Sequence, residues 1–449
     1  MNEPSSLILP KHLSRRSFLK QASAAAGGAA LVGALPIERF AHAASGTDEL
    51  KLALVGCGGR GSGAAGQALS TSNQGPVKLI AMADVHEDRL QGSLHNLQTQ
   101  HGPAVDVPKE RQFLGFDAYK QAIELADVVI LATPPGFRPL MFEEAVKQGK
   151  NIFTEKPVAT DAAGVRRFLA AAAEAKTKNL KVGVGLQRHH QAAYIETIQR
   201  LHDGAIGDIV SLRAYWNGQR PWQKHRVDLD KQYGKKLTEM EYQLLNWYYF
   251  AWACGDHIVE QHIHNLDVIN WVKNGHPVKA RSMGGRELTK SPDDGEIFDH
   301  FATEFEYADG SICSSYCRHQ PNCWDSVSEH AVGTKGKVDI SGAKIFGDSQ
   351  WRYKAEGAKD PYQQEHDDLF AAIRGDKPYS EAENGAMSTM TAIFGRMAAY
   401  SGKELEWDAA FNSKVEIFPK VLAWDADPGP KPGTDGFYPL PIPGQTKVI

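Results

Sequence analysis

Charge of one sign never accumulates in this chain. Its 449 residues carry 50 lysines and arginines against 54 aspartates and glutamates, a net charge of −4, with no long block of like charges. That balance excludes the basic footprint by which proteins grip nucleic acid. Cysteine is also scarce: five residues, an odd number, at poor spacing for a disulfide framework. Cys313 and Cys317 lie four apart in a segment that reads as a strand, about 13 Å, too far to bond each other. Cys57 sits inside a glycine loop, so ordinary reduced or buried thiols are expected. An apolar run long enough to span a bilayer is missing too, because the Ala/Gly/Leu stretch near the N-terminus is short and weak. No internal repeat occurs. What remains is 42 % hydrophobic composition, enough for a large core and about two domains.

The N-terminal stretch has its own grammar. A basic region holds Arg15-Arg16, followed by Ser17, Phe18, Leu19 and Lys20, then the mild apolar stretch, then Ala41-His42-Ala43, which fits a small-x-small cleavage rule. Residues 1–43 resemble a twin-arginine signal peptide. The resemblance implies a periplasmic or extracytoplasmic protein without a membrane span in its mature form. That export route carries folded proteins, often with a cofactor already bound.

After it, "LKLALVGCGGRGSGAAGQAL" opens with an apolar strand, Leu50 to Val55, and continues as Gly56, Cys57, Gly58, Gly59, Arg60 and Gly61 into a helix. In this G-x-G-x-x-G spacing the first glycine makes a tight turn and the second admits a pyrophosphate to the backbone. The third allows close packing of helix on strand, and the phosphate sits on the helix N-terminus. A second strand, "VKLIAMAD", ends at Asp84, placed to accept hydrogen bonds from an adenosine ribose and to repel a 2′-phosphate. NAD is therefore the expected cofactor, with NADP as the alternative that the nearby Arg60 and Arg89 keep open. "ADVVILATPP" (126–135), the strand ending on Glu155-Lys156-Pro157, and "NLKVGVGLQRHH" (179–190) repeat the strand–helix alternation of a parallel doubly wound sheet.

Gly56–Gly61, Thr133-Pro134-Pro135 and Glu155-Lys156-Pro157 together resemble the Gfo/Idh/MocA family of nicotinamide-dependent sugar and cyclitol oxidoreductases. The resemblance covers nearly the whole chain after the signal. It implies an α/β Rossmann domain followed by an α+β domain with a large, open, mostly antiparallel sheet. The expected organisation is 1–43 signal, 48–187 NAD(P)-binding domain, 188–425 substrate and oligomerisation domain, and 426–449 a Pro/Gly-rich tail. Gly56, Gly58, Gly59, Arg60, Gly61, Asp84, Thr133, Pro134, Glu155 and Lys156 are the expected cofactor contacts.

"GDHIVEQHIHNLDVINW" (255–271) reads as one helix with Glu260, His264, Asp267 and Trp271 on one face. His262 points roughly opposite His264, since two positions are about 200° of rotation. The family pattern D-x-G-x-H-x-x-D lands here with His264 as its histidine and Asp267 as its last acid. Glu260 stands for the first aspartate and His262 for the glycine. Oxidising a secondary alcohol sends a hydride to the nicotinamide and a proton to a base, for which a near-neutral histidine suits. A lysine beside the same oxygen stabilises developing alkoxide charge. By resemblance His264 is the base, Lys156 the stabiliser, and Glu260 orients or shares the proton. His257, Glu260 and His264 also have zinc-type spacing, but the E-K-P element already explains why Glu260 and His264 face a cleft, so no metal is assigned.

Arg188, His189, Trp252 and Asp267 are the candidates for substrate contact, with Asp267 also suited to fix the helix or a partner ring. The aromatic and polar excursion 219–250 suggests rings stacking on a sugar, with Arg220 as a further hydroxyl or carboxylate partner. The expected function is an exported oxidoreductase acting on a secondary hydroxyl of a sugar or cyclitol, with tightly bound cofactor. The alternative is a redox-neutral glycosidase, lyase or epimerase on the same scaffold, and a sugar-binding protein without chemistry comes last. The expected partners are a small carbohydrate and further copies of the chain, as a dimer or tetramer, through the C-terminal sheet.

Overall fold

The computed structural model describes residues 49–449 apart from Thr289 and Glu356; the twin-arginine segment, 1–43, lies outside the described residues. The early strands are unbroken apolar runs, as strands buried on both faces require. β1 (Leu50–Val55), β2 (Val77–Asp84), β3 (Gln112–Leu114), β4 (Val128–Leu131), β5 (Asn151–Thr154) and β6 (Val182–Val184) form one six-stranded sheet. Its order is β3-β2-β1-β4-β5-β6, and every pairing in it is parallel. The connecting helices are α1 (Gly59–Leu69), α2 (Glu87–His101), α3 (Ala118–Leu125), α4 (Arg138–Lys147) and α5 (Ala162–Thr177). The strand order reverses between β1 and β4, so a crevice opens at their carboxyl ends, where open α/β sheets bind ligands.

The chain then crosses through α6 (Ala192–His202) to a nine-stranded sheet. β7 (Ile209–Gly218) precedes the helical excursion α7 (Arg226–Tyr233), α8 (Glu239–Leu245), α9 (Ala251–Cys254), α10 (His257–Glu260) and α11 (Ile263–Lys273). β8 (Lys279–Gly285), β9 (His300–Glu306), β10 (Ile312–His319), β11 (Ser326–Gly333), β12 (Gly336–Asp339), β13 (Lys344–Gly347), β14 (Trp351–Arg352) and β15 (Leu405–Glu406) complete it. The order is β14-β13-β12-β11-β7-β10-β9-β8-β15, antiparallel except for the β7–β10 pair. The expected architecture, Rossmann sheet followed by a large mostly antiparallel sheet, is the one observed.

One face of the second sheet is buried. Along β9 and β10, Phe301, Thr303, Phe305, Cys313, Ser315 and Cys317 point inward, beneath α11 and α13 (Ala382–Ser401). α12 (Pro361–Arg374) returns to pack on α1, and α13 on α5, so the helices late in the sequence brace the first domain. The opposite sheet face carries a lateral row, Met283, Ala302, Tyr316, Tyr215 and Ser328, in direct register. Its Met283 and Tyr316 are exposed. After α14 (Trp407–Phe411) no helix or strand follows; residues 412–449 lie along the surface and bury Tyr438. All five cysteines are free thiols, four of them buried. Among the described residues no helix is long and apolar enough to cross a membrane.

Candidate active site

The crevice beyond β1 and β4 is a cleft of about 510 Å³, lined by Gly56 to Gly61, Asp84, Thr133 and Pro134. Gly56 has φ +94°, and a Cβ there would lie 2.6 Å from the Ala132 carbonyl carbon; only glycine closes this turn. A Cβ on Gly61 would strike the Gly56 carbonyl, whereas Gly58 and Gly59 face open space. The loop is thus tight against the protein and open towards the cleft, with the N-terminus of α1 behind it, which fits a dinucleotide pyrophosphate. Asp84 stands at the same rim and orders the loop, accepting hydrogen bonds from the Cys57 N–H at 2.6 Å and the His86 N–H at 2.9 Å.

Arg60 departs from expectation. Its guanidinium turns away from the ribose side, pairs with Glu155, and donates to Gln67 at 2.8 Å and Glu365 at 2.9 Å. Arg60 lines the cleft but spends its guanidinium on two carboxylates and an amide. Glu155 is likewise set back from the cleft: it is buried, binds Arg60, and accepts the Lys156 backbone N–H at 3.2 Å. Its place is behind the site, fixing the turn that carries Lys156. Burial, then the neighbouring Glu155, pushes the Glu365 carboxyl well up, while Arg60 opposes the shift.

Lys156, Glu260 and His264 converge from two domains. The Lys156 Nζ donates to the Glu260 carbonyl at 2.6 Å and to Glu260 Oε1 at 3.1 Å, with both side chains 14 % exposed. The single helix expected over 255–271 is broken at Gln261 and His262, giving α10 and α11. The break has a physical reason. Asp256, at φ +71°, starts α10, and His262 then turns into the sheet to meet Ser315 Oγ at 2.7 Å and Asn265 Oδ1 at 3.2 Å. His262 and His264 both meet the inner face of the second sheet, at Ser315 and Trp216. His264 is 7 % exposed, its ring stacks 5.8 Å from Trp216, and its Nδ1 is buried without a hydrogen-bond partner. Burial first, then the charges of Lys156, Arg188 and Arg60, hold its pKa well below the ordinary histidine range, so the imidazole is neutral at pH 7. Burial and then Glu260 push the neighbouring Tyr248 phenol well up.

His257 does not join them. It is fully buried in the second domain, with its ring 4.3 Å from His319 and 5.0 Å from Phe301. Among the described residues no three His, Cys, Asp or Glu side chains are placed to hold a metal.

Three of the four expected substrate contacts are otherwise engaged. Arg188 is buried against Glu329. Asp267 is 1 % exposed and fully occupied, accepting from Asn384 at 3.0 Å and Ser388 at 2.9 Å and holding His189 Nε2 at 2.9 Å. It anchors the His189 ring, which stacks 4.2 Å from Trp271. Trp252 lies in the core with its indole N–H on Gln243 Oε1 at 2.7 Å. Arg220 is taken by the buried Asp294 at 2.6 Å. Of the four, His189 alone stays partly open, its side chain 21 % exposed.

The excursion lies elsewhere than expected. Trp222, Lys224, Leu244 and Trp247 line the dinucleotide cleft, so part of 219–250 roofs that cleft. Trp424, from the segment after α14, packs behind the same cleft, 4.8 Å from Phe116 and 5.6 Å from His86, and its carbonyl accepts from Thr238.

Comparison with known proteins agrees with this fold. Residues 50–185 match the Gfo/Idh/MocA family model, described as an oxidoreductase family with an NAD-binding Rossmann fold. The first domain is an NAD-binding Rossmann domain. Inositol 2-dehydrogenase of Gluconacetobacter diazotrophicus is 28 % identical over 148 residues, 33 % of this chain and 35 % of that protein. The 2,7-anhydro-N-acetylneuraminate hydratase of Escherichia coli is 25 % identical over 247 residues, 52 % of this chain and 57 % of that one. Both matches span less than two thirds of the relative's length. The crystal structure of scyllo-inositol dehydrogenase from Lactobacillus casei, with bound NAD(H) and scyllo-inositol, has the same two-domain fold. Its TM-score is 0.58 at 18 % identity, covering 80 % of this chain and all of that one.

Proposed function

We propose that this chain is an exported NAD-dependent oxidoreductase that acts on a secondary hydroxyl of a sugar or cyclitol while holding its cofactor tightly. The observation that carries the reading is the neutral, buried His264 within the field of the Lys156–Glu260 pair, in a chain whose first domain opens a dinucleotide cleft. Bound NAD supplies the acceptor for the hydride. His264 takes the hydroxyl proton on its imidazole ring, a role its neutrality permits. Lys156 Nζ donates to the substrate oxygen as negative charge develops there. Glu260 holds that ammonium in place through Oε1 and its own carbonyl, which suits a side chain one methylene longer than aspartate. Export rests on the Arg15-Arg16 segment. Outside the cytoplasm there is no recycled nicotinamide pool, so the hydride must be returned within the bound complex.

The hydratase relative favours a second reading, in which the sugar is oxidised transiently and reduced again after elimination or hydration. One experiment tests both readings. Purified protein is denatured, the released nucleotide identified by mass, and intact protein assayed on sugars and cyclitols with and without an added acceptor sugar. Bound NAD, with turnover that needs no added NAD, is expected. Turnover only with an acceptor sugar marks net oxidation, and turnover without one marks the redox-neutral cycle. Protein that purifies empty and turns over stoichiometrically with added NAD would defeat the tight-cofactor reading.

Cofactor choice follows from Asp84 and from Arg60 being engaged elsewhere. The wild-type extract should contain NAD with little NADP, and Asp84→Ser should lose about tenfold or more of its preference, the worth of a charged hydrogen bond. An excess of NADP released from the wild type contradicts the assignment.

Self-association through the open sheet is the proposed quaternary arrangement. The row Met283–Tyr316–Tyr215, exposed at Met283 and Tyr316, lies next to a strip where Arg281 pairs with Glu304, Glu306 and Glu404. A two-fold axis across this face would stack the apolar rows and oppose the charges. Tyr316→Asp should halve the mass seen by light scattering, since a buried unpaired carboxylate costs several kcal/mol. A wild type that is monomeric at micromolar concentration rules the arrangement out.

A further inference from the structure

A second cavity of about 330 Å³ lies between α9, α13, the start of α5 and the C-terminal tail, and shares no lining residue with the dinucleotide cleft. Two charged side chains reach it from the protein interior. Arg396 is 4 % exposed, donates through Nη1 to the Gly255 carbonyl at 3.0 Å, and forms no ion pair among the described residues. Its guanidinium lies 5.8 Å from the Tyr400 ring centre. Glu296 accepts the Ala251 backbone N–H at 3.1 Å and also has no ion-pair partner. Burial pushes its carboxyl up to about 7, with Arg396 opposing. The two groups feel each other yet stay beyond salt-bridge distance, on one open space. Asp161 also borders the cavity, but its oxygens are filled by the Gly164 N–H at 2.7 Å and the Ile417 N–H at 2.9 Å. Glu416 and Lys447 are exposed on the tail. Much of the remaining wall is apolar, including Trp252, Met397 and Val448.

A buried guanidinium has five N–H donors to satisfy, and Arg396 is left with donors beyond the one held by the Gly255 carbonyl. A plain carboxylic acid would satisfy Arg396 and leave Glu296 facing an anion. An amine would do the reverse. We propose that this cavity binds a small hydroxy acid with an apolar body: its carboxylate accepts from Arg396, and its hydroxyl donates to Glu296. The ligand would sit against Trp252, whose ring packs 6.0 Å from Phe137 of the dinucleotide cleft. The site is independent of the reaction proposed above.

Isothermal titration of the full chain with mandelate is the test. One saturable site per chain is expected, with affinity weakened about tenfold or more by Arg396→Met, as for loss of a charged hydrogen bond. Mandelamide and phenylacetate, which lack the carboxylate and the hydroxyl respectively, should also bind more weakly. Met397→Trp, which fills the cavity and keeps both charges, should abolish binding, with its melting curve checking that it folds. His264→Ala should leave mandelate affinity unchanged, which separates this cavity from the active site. Absence of saturable binding to the wild type overturns the proposal. So does binding that survives both Arg396→Met and Met397→Trp, or that disappears with His264→Ala.

Discussion

Replacing His264 with alanine should lower kcat by about 10²- to 10⁴-fold, the usual worth of a positioned general base, or roughly 3 to 5 kcal/mol of barrier. Nicotinamide content should be unchanged, because His264 is not among the residues lining the dinucleotide cleft. Lys156→Met should fall at least as far, and it also strips Glu260 of its ion-pair partner. The pH profile provides a separate check. The folded His264 has its pKa depressed, so it is neutral above that value and is lost as a base only when pH falls through it. The acid limb of kcat/KM should therefore lie well below 6.5. A limb near 6.5 that vanishes in His264→Ala would show an ordinary, unshifted base, and a variant keeping most of its activity would remove His264 from the mechanism.

Wild-type protein should keep its nucleotide through exhaustive dialysis, and Trp247→Ala with Trp424→Ala should let it go. Trp247 comes from the roof and Trp424 from the segment after α14. Truncating a buried aromatic at an interface costs about 2 kcal/mol, so each change should speed release about 30-fold. Stopped-flow release into excess unlabelled nucleotide measures this directly. Equal release rates in wild type and double variant would mean that the roof does not retain the cofactor. The sugar site should be little affected, since neither ring touches Lys156 or His264.

The sequence made the first domain legible because its signals are local. Leu50–Val55 and Val77–Asp84 were bounded to the residue, since an apolar run ends on a glycine in one case and an acid in the other. The convergence of Lys156, Glu260 and His264 came from the family resemblance and not from spacing. What stayed hidden depended on partners far along the chain. The break between α10 and α11 interrupts an unbroken helical pattern because His262 finds Ser315, 53 residues away. Arg60 looked like a phosphate ligand until Glu365, 305 residues on, was seen to occupy it. Asp267 and Arg188 looked like substrate contacts because polar residues near a cleft are assumed to face it; Asn384, Ser388 and Glu329 show that they face the interior.

A ribosome delivers this protein in an order that its architecture makes consequential. The glycine loop and Asp84 emerge early and can fold as a unit, but Trp424 emerges only near the end. So does Tyr438, which pins the tail by donating to Glu239 at 2.6 Å and accepting from Arg226 at 2.8 Å. During most of translation the nucleotide pocket is open to whatever the surrounding fluid contains. On the tight-cofactor reading proposed above, the nucleotide retained is the one supplied while the polypeptide is being made, and the finished molecule preserves a record of the compartment in which it was synthesised.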